Sequence, residues 1–153
     1  FYHCQKGVAA IEFALSLFFL LTTMTIILDI GLALRQATLI EKGLRAGALY
    51  ASQTDQPMSS GDIAAVENLV KTGTLDGTGE VLVPGWDNGG TFTLTTSTYT
   101  MATADPALGS PLLPVVNVNA IVPYDPLLPG IWDFIGASDF TFNLSHEQAY
   151  VGL

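Results

Sequence analysis

One cysteine, two histidines and five lysines and arginines are few for 153 residues, and each shortage removes a class of function. A lone thiol, Cys4, forms no internal disulfide. A zinc-protease helix needs a second histidine four residues after the first, and His146-Glu147 is not followed by one. No Gly-x-Ser-x-Gly elbow, phosphate loop or dinucleotide fingerprint occurs, so an enzyme, a cofactor and a metal centre are all unexpected. Positive charge is scarcest after residue 54, where Lys71 stands alone against eleven acids. Residues 1–54 are nearly balanced, with Lys6, Arg35, Lys42 and Arg45 against Glu12, Asp29 and Glu41. An acidic second part repels phosphate backbones, which argues against nucleic acid as a partner.

One acidic stretch needs separate treatment. Asp76-Gly77-Thr78-Gly79-Glu80 sets oxygen-bearing side chains at alternate positions, as calcium loops do, and Asp87 and Asn88 could lie near. It lacks the spacing and the closing bidentate acid of an EF-hand loop, so an ordinary acidic turn is the expectation.

What the chain does have is a long apolar run. Lys6-Gly7-Val8-Ala9-Ala10-Ile11-Glu12-Phe13 leads straight into the largely apolar block 14–30. About 20 such residues cross a bilayer as a helix, and a charge inside the run, here Glu12, is costly enough to suggest a role. A cleaved secretory signal has a shorter apolar core ending near a small-x-small site. This run instead continues in helical pattern to Ser52, so an anchor is expected.

Past Ile30 the pattern becomes amphipathic. Leu34, Ala37, Ile40 or Glu41, Leu44 and Ala48 recur at three- and four-residue steps, with Arg35, Lys42 and Arg45 largely outside the stripe. A helix from Val8 to about Ser52 is on the order of 65 Å long at ~1.5 Å per residue. Gly43 and Gly47 on its outer half permit close approach of another element, the chain's own sheet before another subunit.

The remainder reads as a small domain, since roughly a hundred residues suffice for one core. Ser59-Ser60-Gly61-Asp62 looks like a helix start, Ile63, Val66 and Leu69 or Val70 give an apolar face, and Gly73 is placed to stop it. Strands are expected at 80–83 and 91–101, joined as a hairpin across Asn88-Gly89, with a proline-bounded loop at 105–114. Val116, Val118, Ala120 and Val122 alternate with Asn117 and Asn119, and Phe140, Phe142 and Leu144 alternate with Thr141, Asn143 and Ser145. Between these last strands, 123–136 is unusually apolar for a connection. Leu127, Leu128, Ile131, Trp132 and Phe134 make it either a contact for a partner or membrane, or a lid on the domain's own core. The fold class is α+β: a long N-terminal transmembrane helix with an amphipathic extension, packed against a small antiparallel sheet.

The stretch Lys6-Gly7 followed by Val8-Ala9-Ala10-Ile11-Glu12-Phe13-Ala14-Leu15, with Arg35-Gln36-Ala37 and 45–51 downstream, resembles the TadE-like minor pilins, pseudopilins of tight-adherence (Flp) pili. The resemblance covers residues 6–52. It implies a pilin-like layout: a leader at 1–7, a transmembrane helix at 8–30, an amphipathic extension at 31–52 and an extracytoplasmic α+β domain at 53–153. It further implies processing by prepilin peptidase between Gly7 and Val8, and Glu12 as the residue that sets subunit register during assembly. Implied partners are the peptidase, other major and minor pilins, the inner-membrane assembly platform and the membrane itself. Implied location is the bacterial inner membrane, crossed once, with incorporation into the pilus. The implied role is in pilus initiation, assembly or tip presentation for surface attachment. A type II secretion pseudopilin, or an anchored extracytoplasmic binding protein that never polymerises, remain the alternatives.

Overall fold

The computed structural model describes residues 5–105, 110–134, 136 and 140–150, leaving aside the side chains of 5, 6, 101–105, 110, 111, 131 and 134. His3, Cys4 and most of the expected leader lie outside the described residues. The described chain divides into two units, Phe1–Leu34 with Pro126–Ser138, and Arg35–Asp125 with Asp139–Leu153.

Helix α1 spans Gln5–Ala51. Its interior has no proline, and its threonines are reconciled with an apolar setting by back-bonding. The hydroxyls of Thr22, Thr23 and Thr25 donate to the carbonyls of Phe18, Phe19 and Leu21 at 2.8–2.9 Å. The helix ends where Ser52 and Thr54 hydroxyls donate to the last carbonyls, those of Leu49 and Ala51.

In the second unit, Ile40, Leu44, Ala48 and Ala51 of α1 are fully buried, while Arg35, Lys42 and Arg45 face solvent. The stripe is therefore placed as its three- and four-residue spacing predicts, except at its start. Leu34 is 66% exposed, and Glu41 is on the solvent side, bonded to Arg45 at 2.9 Å. Helix α2, Ser60–Thr72, opens with a capping box between Ser59 and Asp62 and closes at Gly73, whose φ of 76° only glycine adopts freely.

Gly43 and Gly47 admit α2 rather than the sheet. A methyl group on Gly43 would stand 2.6 Å from the Val70 carbonyl oxygen, and one on Gly47 2.5 Å from the Val70 side chain. Close approach within the chain was the expectation, and its partner is a helix because Val66 and Val70 present the buried face of α2.

The hairpin expected between 80–83 and 91–101 does not form. The Leu82 amide donates instead to the carbonyl of Lys71 at 2.8 Å, tying this stretch to the end of α2. Val83 is buried, and Pro84 begins a single 3-10 turn, Pro84–Trp86, that buries Gly85 and Trp86. Gly89 has a positive φ but Asn88 does not, so the pair makes no two-residue hairpin turn of the kind expected.

The sheet is antiparallel, in the order β1 (Thr91–Asp105), β2 (Ser110–Pro123), β3 (Thr141–Ala149). Much of the expected loop 105–114 is strand, since Leu112, Leu113 and Pro114 pair with Thr100, Tyr99 and Thr98; residues 106–109 lie outside the described residues. Pro114 lies at the end of the described β2–β3 ladder, where its carbonyl still accepts the Tyr150 amide at 2.9 Å. Val116, Val118, Ala120 and Val122 are buried on one face. On the other face Asn117 donates to Glu147 at 2.7 Å and Asn119 to Asn143 at 3.2 Å. A one-residue slip would exchange these two sets, so burial fixes the register.

Candidate functional site

The inner half of α1 is apolar on every side and covered on almost none. Val8, Phe13, Phe18, Leu21 and Ile27 each leave more than half their surface exposed, from 54% to 69%. A water-soluble helix buries one face; this one keeps its apolar surface outward all round, and it is long and apolar enough to cross a membrane.

Gly7 and Val8 lie in the first turns of this helix. Gly7 has open space where a side chain would be, and Val8 is 56% exposed. Glu12 is exposed and makes no ion pair among the described residues. The first turns of α1 therefore present their glycine and carboxylate outward.

Farther along, Asp29 is 1% exposed, although it follows a run of apolar residues. One carboxylate oxygen accepts the Leu127 backbone amide at 2.9 Å, and the other accepts the Trp132 indole N–H. Burying a carboxylate is tolerable when donors replace its water, and this one has an amide and an indole. Helix α3, Pro129–Phe134, presents Trp132 to it. In the sequence Asp29 stands only as an acid near the end of the apolar block 14–30. The signal available for its partner is that the apolar excursion at 123–136 carries an indole donor.

That excursion groups with Phe1–Leu34, not with the sheet from which it departs. Its two roots are joined where the Tyr124 amide donates to the Phe140 carbonyl at 2.9 Å, and Tyr124, Phe140 and Phe142 pack edge to face. Leu127 and Leu128 are 58% and 45% exposed, while the side chains of Ile131 and Phe134 lie outside the described residues.

The acidic stretch is committed locally. Asp76 accepts both the amide and the hydroxyl of Thr78 at 3.2 and 3.0 Å. The Thr78 amide, and then its hydroxyl, hold the Asp76 carboxyl below its ordinary range. Among the described residues no group of three or more histidine, cysteine, aspartate or glutamate side chains is gathered for a metal. Glu147 is engaged by Asn117, and His146 stands opposite Val118.

A family model described as TadE-like protein matches residues 7–49. The N-terminal helix is TadE-like. No curated protein and no solved structure matches the chain. The TadE-like segment opens on Gly7, contains Glu12 and Asp29, and ends in the last turn of α1. The likeness is confined to this segment, less than a third of the chain. The sheet lies wholly outside the matched segment.

Proposed function

We propose that this chain is a minor pilin, or pseudopilin, of a tight-adherence pilus, and that prepilin peptidase cuts it between Gly7 and Val8. The observation that carries the reading is a TadE-like match opening on Gly7, at the foot of a helix exposed and apolar on all sides. Such a helix has two settings that would satisfy it, a bilayer and a bundle of like helices. A pilin uses both in turn.

Glu12 is the register residue. Cutting after Gly7 creates a cationic amino terminus on Val8. In a bundle of helices, the Glu12 carboxylate of one subunit pairs with the amino terminus of a neighbour. A mismatched axial register leaves both charges without partners at low dielectric, so the pair selects one register. Before assembly Glu12 lies shallow in the bilayer, where the cost falls below the ~2.5–3.5 kcal/mol of a charge at the midplane.

The α+β domain stands outside the cytoplasmic membrane, and the long helix links it to the anchor or filament. Initiating the pilus, supporting its assembly or presenting this domain at the tip for surface attachment are the roles such a layout serves. Its partners are the peptidase, the other major and minor pilins and the inner-membrane platform. Deleting the chain and counting surface pili by electron microscopy tests the assignment. Loss of pili restored by the wild type supports it, and unchanged piliation and attachment contradict it.

A further inference from the structure

The outer end of the membrane helix carries a feature that the register role of Glu12 does not use. Asp29 stands roughly 32 Å along α1 from Val8 at ~1.5 Å per residue, against about 30 Å of bilayer hydrocarbon. A helix entering the bilayer at Val8 therefore brings Asp29 to the opposite hydrocarbon boundary. With it come the Leu127 amide and the Trp132 indole that it binds. Indole rings concentrate at that depth, because the ring is apolar and its N–H needs a polar partner. Leu127 and Leu128, next to the anchored amide, remain 58% and 45% exposed. Two adjacent exposed leucines are unfavourable in water and favourable in the upper acyl region.

We propose that residues 126–132 form an interfacial wedge, latched to α1 by Asp29, that seats Leu127, Leu128 and Trp132 in the headgroup–acyl boundary of the outer leaflet. The inference rests on reading α1 as a membrane span. Asp125 and Asp133 are the charged residues flanking the wedge, and no lysine or arginine accompanies them. Insertion is consequently driven by apolar surface and does not need anionic lipid.

The test uses the full chain in neutral phosphatidylcholine vesicles whose acyl chains are brominated either near the headgroup or near the methyl end. Trp132→Phe identifies the part of the emission that belongs to Trp132, the remainder coming from Trp86. The wedge predicts that shallow bromines remove most of the Trp132 emission and deep bromines much less. It also predicts that Asp29→Ala abolishes this quenching and that Asp29→Asn, which keeps an acceptor, retains part of it. A chain that floats with the vesicles while Trp132 emission ignores both lipids overturns the wedge and leaves the anchor standing. Full quenching in Asp29→Ala overturns the latch. A chain that fails to float with the vesicles overturns the membrane-span reading and the wedge together.

Discussion

Asp29 and Trp132 are 103 positions apart in the chain, and the indole N–H of one donates to the carboxylate of the other. This bond, with that from the Leu127 amide, fastens an apolar excursion of the sheet to the helix that bears the TadE-like segment. Hydrogen bonds to a buried charged group stabilise by about 1.5–3 kcal/mol each, and removing the acceptor also leaves its donors unsatisfied. Asp29→Ala should therefore free residues 126–134, and limited proteolysis in detergent should cut there many times faster than in the wild type. Asp29→Asn should fall between them, and equal cleavage of all three proteins would argue against the clamp.

The contact of α1 with α2 makes a graded prediction. A methyl group at Gly43 meets the backbone oxygen of Val70, which cannot move without shifting α2, whereas one at Gly47 meets a Val70 methyl, which yields only by leaving its preferred helical rotamer. Gly43→Ala should destabilise the second unit by about 1–3 kcal/mol through overpacking, and Gly47→Ala by less. Urea unfolding followed by Trp86 emission measures the order, in a Trp132→Phe background. A larger loss at Gly47 would contradict this geometry.

Acid should act on the 76–80 turn through Asp76. Hydrogen bonds from Thr78 lower the folded-state value of this carboxyl beneath its ordinary 3.8. The unfolded state therefore binds the proton more readily, and the contribution is present above 3.8 and lost as pH falls through the lower folded value. The difference in stability between wild type and Asp76→Asn should be constant near neutrality and shrink only below that range. NMR titration of the Asp76 carboxyl carbon gives the direct reading, with a midpoint below that of a free aspartate.

Gly7 and Glu12 should separate processing from assembly. A methyl group at Gly7 touches nothing within the chain and favours the helix by up to about 1 kcal/mol, so a defect in Gly7→Ala reports on the peptidase and not on folding. Gly7→Ala should be cut poorly on immunoblots of membranes. Glu12→Ala should be cut nearly as well as wild type, yet yield few or no pili. Normal piliation in the Glu12 variant would remove its register role.

Periodicity and turn chemistry made α1, α2 and the buried faces of β2 and β3 legible from residue types. The capping pair Ser59 and Asp62 and the stop at Gly73 were equally plain, because each is settled within a few residues. Leu82 was not, since a short apolar run suits a strand or a cover for α2 equally, and the Lys71 carbonyl decides between them. The prolines at 111 and 114 suggested a loop because no local signal shows that 112–114 pairs with β1. The engagement of Asp29 was hidden by distance along the chain.

The most direct test of the pilin account is the intact mass and amino-terminal sequence of the protein recovered from membranes of cells with and without prepilin peptidase. The account predicts a chain beginning at Val8 only when the peptidase is present, and a longer chain retaining Lys6-Gly7 in its absence. Retention of Lys6-Gly7 in both would contradict it and leave a permanently anchored protein.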